Sequence, residues 1–172
     1  MYRIKAKFLR FTEMSLYGCV GTIGVYVVWD AKSYKNCIPT YIGKGNLFNR
    51  LESHHSKFQP PLDGYVSVLG DVGDRKADHD AELLEGMLLW IADKKRRLSK
   101  KNRQGARLKK LKKKLKQHRL VRCNLSYSGD DPFCSPRAPH KISEDKKYIR
   151  VFIDKDGELQ MEHGWRKLRG SS

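Results

Sequence analysis

The sequence predicts one α/β domain of the α+β type, spanning residues 1–172, with a small antiparallel sheet of about three strands flanked by helices. Three observations predict this fold. Short β-branched and aromatic runs occur at residues 24–29, 40–43 and 65–72. Two segments with a helical period lie between and after these runs. A hydrophobic content of 39% is enough for one packed core and excludes a wholly disordered chain.

The first two strands lie in the segments "GVYVVWD" and "TYIGKGN". The connector between them is short, polar and ends in a proline, so the two strands most easily pair antiparallel. Side chains alternate between the faces of a strand, which puts Tyr26 with Gly24 and Val28, and Tyr41 with Gly43. We therefore expect both phenols to project from one surface, with Gly43 leaving room for a backbone or a phosphate.

A helix is predicted over residues 46–58, "NLFNRLESHHSKF", because its leucines follow the helical period and Asn46 can cap its first turn. Arg50 and His54, four residues apart, lie along another side of this helix. The helix begins just after Lys44, so we expect an ammonium, a guanidinium and an imidazole near the two tyrosines. All of these groups donate hydrogen bonds or carry positive charge, which suits a phosphodiester.

A second helix, within "AELLEGMLLWIADKK", offers two carboxylates that differ in their surroundings. Glu82 has polar neighbours three and four positions away, whereas Glu85 leans towards the apolar face of the helix. A carboxylate at the margin of a core is costly unless something satisfies it, and a metal ion would do so. Glu85 is therefore the better candidate for a metal ligand.

Residues 94–119 hold 15 lysines and arginines and no acidic residue, which leaves 21 basic and 19 acidic residues in the rest of the chain. We predict that this basic segment is largely helical and binds a polyanion, with double-stranded DNA as the partner. A merely solvated face is the alternative. Leu108, Leu111 and Leu115 are expected to dock the segment on its own domain. The cations expected to contact phosphates are Lys94, Lys95, Arg96, Arg97, Lys100, Lys101, Arg103, Arg107, Lys109, Lys110, Lys113 and Lys114.

The C-terminal part is predicted to form a hairpin over residues 147–163, around Asp156-Gly157. The four cysteines show no CxxC spacing, so reduced thiols are expected. A zinc site is the minor alternative, with Cys123, Cys134, His118 and His140 as its ligands. No apolar run reaches the length of a membrane span, and the N-terminus has no signal-peptide block, so we expect a cytoplasmic protein without a membrane partner.

Several short motifs follow one another in the first half of the chain: "GVY" at 24–26, "YIG" at 41–43, then Arg50, His54 and Glu85. In this order they resemble the GIY-YIG nuclease superfamily, over residues 20–92. The resemblance implies a compact antiparallel sheet of about three strands flanked by helices. It also implies that this core cuts nucleic acid with one divalent metal ion, Mg²⁺ or Mn²⁺.

The resemblance also implies a role for each matching residue. Tyr26 would be the general base, Tyr41, Lys44 and His54 would assist it, Arg50 would bind the scissile phosphate, and Glu85 would hold the metal; Asn124 is the best equivalent of an asparagine that many members add. His55 is an equal rival of His54 on composition. An isolated tyrosine has a pKa of about 10, so ionising it at pH 7 costs about 4 kcal/mol, which nearby cations and a metal would reduce.

These observations predict a metal-dependent DNA endonuclease, stand-alone and of the restriction type. Two alternatives stay open at this point. One is a nucleic-acid-binding module whose nuclease site is vestigial, and the other is a nuclease acting on RNA or branched DNA. A monomer and a homodimer are both compatible with the sequence.

Overall fold

A computed structural model of the chain describes residues 2–10, 16–30, 38–55, 63–94, 106–117, 120, 122–133, 136 and 146–166. The strands are β1 (Tyr2–Arg10), β2 (Thr22–Trp29), β3 (Tyr41–Asn46), β4 (Asp63–Asp71), β5 (Arg122–Gly129), β6 (Lys146–Ile153) and β7 (Leu159–Arg166). The helices are α1 (Leu47–His55), α2 (Arg75–Lys94) and α3 (Ala106–Gln117), with a 3-10 turn at Leu16–Cys19. None of the helices in these ranges is long and apolar enough to cross a membrane.

The strands form one mixed sheet in the order β3-β2-β4-β1-β5-β6-β7. Strands β1 and β5 are parallel, and the other neighbours are antiparallel. Strand β1 joins two parts of the sheet, because it pairs with β4 only through Leu9↔Val66 and Arg10↔Tyr65. We call β3, β2 and β4 the three-stranded half, and β1, β5, β6 and β7 the four-stranded half.

The predicted fold class, a small sheet of about three strands flanked by helices, is wrong. The three expected strands are present, but they form only one end of a seven-stranded mixed sheet. The cause is the pairing of β1 with β5, which joins residues about 120 positions apart, such as Tyr2 and Cys123. Local sequence patterns carry no information about a partner that distant, so they could not predict that the four-stranded half joins the three expected strands.

One face of the sheet packs against α2, which lies over β2, β3 and β4. Alternate residues of β2 and β1, such as Val25, Val27 and Phe8, are buried with Leu84 and Leu88 of α2 in a single core. Burial of each such side chain contributes about 1.5–3 kcal/mol, so this layer dominates the folding free energy.

Helix α3 packs on α2 rather than on the sheet. Leu111 and Leu115 are buried in the same core, as predicted for the docking of the basic segment, while the side chain of Leu108 lies outside the described part. Gly86 permits the close approach, since a Cβ there would lie 3.3 Å from Leu111.

The opposite face differs between the halves. On the three-stranded half, α1 covers β2 and β4, with Leu47 and Leu51 packed against Tyr26, Val28 and Val66. On the four-stranded half, the same face presents exposed cations from β1. The hairpin of β6 and β7 forms one edge of the sheet, and Gly157 in its turn has a positive φ of 77°.

Candidate active site

The two tyrosines are brought together by the antiparallel pairing of β2 with β3. Tyr26 lies opposite Gly43 and Val28 lies opposite Tyr41, so both phenols stand on the face that α1 covers. Their ring centroids are 6.0 Å apart with an interplanar angle of 26°, which is a stacked arrangement. The alternation of side chains along the two strands therefore predicts this pair correctly.

His54, on α1, is the third member of the cluster. It lies three residues after the buried Leu51, so the side of α1 that packs on the sheet also carries the imidazole. His54 Nε2 lies 3.0 Å from Tyr26 Oη, and the imidazole centroid is 5.2 Å from the Tyr26 ring and 5.1 Å from the Tyr41 ring. The side chain of the rival, His55, lies outside the described part of the chain.

Gly43 is the floor under this cluster. A Cβ at position 43 would lie 2.5 Å from Tyr26 Oη and 2.6 Å from Tyr41 Cε1, both far inside contact distance. The space above Gly43 is thus taken by the tyrosines themselves, and not by a backbone or phosphate as the sequence suggested. Glycine at this position allows Tyr26 to lie flat across the edge strand.

Arg50 stands on the same face, one helical turn before His54. Its side chain is exposed and passes over Gly45, whose Cβ position lies 3.4 Å from Arg50 Nε. Gly45 is two residues along β3 from Gly43, a distance of about 6.8 Å. The guanidinium and the Tyr26 hydroxyl therefore lie above neighbouring positions of one strand.

Solvent reaches the members of the cluster unequally. Tyr26 is only 1% exposed, whereas Tyr41 and His54 are half-buried. The Tyr26 hydroxyl is within hydrogen-bond distance of His54 Nε2, so a proton can pass between them. The imidazole ring is more exposed than the phenol, but its Nδ1 is buried and its Nε2 faces the Tyr26 hydroxyl.

Lys44 is placed away from the tyrosines. It lies opposite Val25, on the face of the sheet that packs against α2. Burial alone would raise the pKa of Glu82, but the hydrogen bond from Lys114 and the ammonium of Lys44 outweigh it, so the pKa lies below its ordinary value. Lys114 Nζ is 2.9 Å from Glu82 Oε2. Glu82 therefore already has cationic partners.

Glu85 is half-buried on α2, three residues after Glu82 and hence on the same side of the helix. The influence of Lys44 on Glu82 shows that this side of the helix is turned towards β3, the edge strand. No group of three or more His, Cys, Asp and Glu side chains within the described ranges could hold a metal ion. Mg²⁺ often binds through one or two carboxylates together with phosphates and water, so a single carboxylate is compatible with it.

Asn124 lies on β5, in the four-stranded half, between Arg3 of β1 and Arg150 of β6. Three strand spacings separate β5 from β2, about 14 Å in all. The fold thus places Asn124 apart from the tyrosine cluster, although on the same face of the sheet.

The basic segment is described only in part. Lys94 ends α2, and Arg107, Lys109, Lys110, Lys113 and Lys114 lie in α3, whereas Lys95, Arg96, Arg97, Lys100, Lys101 and Arg103 lie outside the described residues. Lys113 is exposed. Lys112 pairs with Glu158 at 2.8 Å, so this helix is held to the β6–β7 turn as well as to α2. Of the suggested zinc ligands, Cys123 is buried, and Cys134, His118 and His140 fall outside the described residues.

A second polar cluster escaped the sequence analysis. Tyr2 Oη donates a hydrogen bond to Asp80 Oδ1 at 2.5 Å, His79 Nδ1 lies 3.1 Å from the same hydroxyl, and Lys76 Nζ is 2.7 Å from Asp80 Oδ2. Burial, with the charge of Asp80, raises the pKa of the Cys123 thiol to about 12. The cluster ties β1 to α2 across 78 positions, a separation that local sequence patterns do not bridge.

Comparisons of the chain with protein-family models, with curated proteins and with solved structures found no match. The resemblance to GIY-YIG nucleases therefore rests on the residues of the motifs and on their placement alone.

Proposed function

We propose that the protein is an endonuclease that hydrolyses phosphodiester bonds of DNA at the face formed by Tyr26, Tyr41, His54 and Arg50. The observation that supports this most directly is the 3.0 Å contact between His54 Nε2 and Tyr26 Oη, beside an exposed guanidinium. A phenol and an imidazole in contact form a pair that can take up a proton. A guanidinium supplies the charge that a phosphate oxygen needs in the transition state.

The phenol–imidazole pair would act as the base. Ionising Tyr26 alone at pH 7 costs about 4 kcal/mol, whereas an imidazole with a pKa near 6.5 accepts a proton at little cost. Tyr26 is almost fully buried and so is His54 Nδ1, so the attacking water would have to enter the cluster to meet the imidazole. Tyr26 would then hold the imidazole in its orientation and share its proton, which modifies the role that the resemblance implies for this tyrosine.

Arg50 would bind the scissile phosphate. Its exposed side chain is anchored over Gly45, and a guanidinium forms two parallel hydrogen bonds to phosphate oxygens. The phosphorus would lie between Arg50 and the imidazole, whose positions on α1 differ by one helical turn, about 5.4 Å.

Glu85 would hold the divalent ion at the edge of β3. Because α2 packs on the face of the sheet opposite the tyrosines, Mg²⁺ or Mn²⁺ held there would neutralise charge on a phosphate that reaches round the edge strand β3. Glu82 is the less suitable carboxylate, since Lys114 and Lys44 already satisfy it. Calorimetric titration of Mn²⁺ into the protein with a non-cleavable duplex tests this ligand independently of activity. We expect Glu85→Ala to weaken metal binding at least tenfold and Glu82→Ala to leave it unchanged.

The decisive experiment for the function is a substrate panel. Purified protein is incubated with plasmid, duplex and branched oligonucleotides and RNA, in Mg²⁺, in Mn²⁺ and in EDTA. We expect cleavage of duplex DNA with either metal and none in EDTA, and loss of cleavage in His54→Gln. Preferred cleavage of RNA or of branched DNA would reassign the substrate, and absence of cleavage on every substrate would reject the proposal.

The second candidate is a binding module with a vestigial site. The near-complete burial of Tyr26 favours it, because a packed aromatic cluster also stabilises the contact of α1 with the sheet. Strong salt-sensitive binding without cleavage, unchanged in Glu85→Ala, would support this reading.

A further inference from the structure

The outer face of the four-stranded half carries a row of cations. On β1, Arg3, Lys5 and Lys7 are exposed, and they alternate with residues buried against α2. The register extends this face to Arg122 on β5 and to Arg150 on β6. We call Arg3, Lys5, Lys7, Arg122 and Arg150 the open face.

Acidic residues are nearly absent from this half of the sheet. Strands β1, β5 and β6 contain no aspartate or glutamate. On β7, Glu162 pairs with Arg150 at 2.8 Å. All five cations of the open face therefore lie on strands without an acidic residue, and Arg150 is paired with Glu162 of the neighbouring strand β7. The three cations of β1 are exposed on this face while their neighbours in the strand are buried on the other, so the exposed charge points to an anionic ligand.

The arrangement of long and short side chains on the open face suits a nucleic-acid backbone. Between the long side chains of β1 and β6, strand β5 contributes the short side chains Asn124, Ser126 and Ser128. The two flanking strands are separated by two strand spacings, about 10 Å, and enclose a shallow channel. Apart from Tyr148 and Phe152 of β6, this surface consists of lysine, arginine, serine and asparagine side chains, which are common partners of phosphate and sugar oxygens.

The open face continues into the candidate active site. Leu9, two residues beyond Lys7 on the same face, lies opposite Val66, and Val66 lies opposite Tyr26. The row of cations on β1 thus runs along the same side of the sheet that carries the two phenols and His54. A polyanion bound along β1 would reach the tyrosine cluster without crossing to the other face.

We propose that the open face binds the phosphate backbone of duplex DNA beside the position where it is cut. The identity of the ligand rests on the function proposed above, and the charge complementarity is independent of it. A duplex is favoured over single strands because the face offers few free aromatic rings. Phe152 is already covered by Arg122, whose Cζ lies 5.9 Å from the ring centroid.

The test compares two double variants of the full chain that lose the same charge. Lys5→Gln/Lys7→Gln removes two cations of the open face, and Arg75→Gln/Lys155→Gln removes two exposed cations outside it. Binding of a duplex oligonucleotide is measured in EDTA over a range of salt concentrations, and thermal melts establish that both variants are folded. We expect the slope of log K against log salt to flatten by about 1.8 in the open-face variant and to change little in the control.

The outcomes separate this inference from the proposed function. Equal slopes in the two variants would overturn the open face as a binding surface, even if the wild type cuts DNA. If the wild type never cuts DNA but the open-face variant shows a flattened slope, the open face is supported as a binding surface and the proposed hydrolysis is rejected. Tighter binding of single-stranded DNA or of RNA duplex than of DNA duplex, lost in the open-face variant, would overturn the assignment of the ligand.

Discussion

The two halves of the sheet use the same face in opposite ways. In the three-stranded half, α1 covers the face and encloses two stacked phenols and an imidazole over glycines. In the four-stranded half, the same face carries exposed cations on β1, while the alternate residues of that strand are buried in the core on the other side. The difference suggests that the three-stranded half, which we call the enclosed half, performs the chemistry. The four-stranded half, which we call the open half, would supply the affinity for the polyanion.

This division has a physical basis. Proton transfer needs groups that are held by packing, and the hydrogen bond of His54 with Tyr26 lies between a helix and a strand. Attraction of a polyanion needs only exposed charge, which long and solvated side chains supply. Variants in the two halves should therefore affect the cleavage rate and the affinity separately.

The largest expected effect separates metal binding from DNA binding. Glu85→Ala should abolish cleavage while leaving the affinity for duplex DNA in EDTA nearly intact, because it removes the metal ligand and leaves the cations that attract the duplex in place. Glu82→Ala is the matched control, since its carboxylate is paired with Lys114. Loss of cleavage in Glu82→Ala, with activity in Glu85→Ala, would show that the other carboxylate holds the metal.

The next largest effect tests how the two tyrosines pack on Gly43. Gly43→Ala adds a Cβ where Tyr26 Oη and Tyr41 Cε1 already lie within 2.6 Å, so one ring must move. We expect a loss of about 1–3 kcal/mol in the free energy of unfolding. Chemical denaturation measures this loss, and single-turnover assays of the folded variant should show cleavage at least tenfold slower. Unchanged stability and activity would mean that the tyrosines do not pack on Gly43.

A smaller effect is expected within α3, where the lysines differ. Lys113 and Lys116 are exposed, whereas Lys112 and Lys114 pair with Glu158 and Glu82. Lys113→Gln/Lys116→Gln should flatten the salt dependence of DNA binding by up to about 1.8, and Lys112→Gln/Lys114→Gln by less. Equal slopes in the two variants and the wild type would identify α3 as a solvated face that the duplex does not touch.

The smallest effect concerns pH. The pKa of Glu82 lies below its ordinary value in the folded state, so its pairing stabilises the protein above about pH 4.3 and is lost as the pH falls further. Because the pair is partly exposed, Glu82→Gln should cost no more than about 1 kcal/mol at pH 7. Denaturation of both proteins at several pH values should show this difference shrinking below pH 4. A constant difference would mean that the charge of Glu82 does not matter.

Much of the enclosed half was predictable because its determinants are local. The strands of Tyr26 and Tyr41 are apolar runs close together in the chain, and the spacing of Arg50 and His54 fixes their side of α1. Lys44 was misplaced, since strand alternation turns it to the face opposite Gly43.

The assembly of the four-stranded half could not be predicted, because β1 and β5 meet through a distant pairing, whereas the hairpin of β6 and β7 has a local turn. Counting charges along the chain directed attention to residues 94–119 and left the remainder nearly neutral. In the folded protein, however, cations from outside this segment come together, so that Arg3 of β1 and Arg122 of β5 share one face of the sheet. The Tyr2–Asp80 hydrogen bond was missed for the same reason.

The most direct test of the account is single-turnover cleavage of duplex DNA by Tyr26→Phe at saturating enzyme, beside Tyr127→Phe. Tyr127 is a buried tyrosine of β5, so the control removes the same hydroxyl from the other half. We predict a rate at least about 100-fold below that of the wild type for Tyr26→Phe, with equal affinity in EDTA and a nearly unchanged rate for Tyr127→Phe. Wild-type cleavage by Tyr26→Phe would contradict the account, because the enclosed half would then be packing alone.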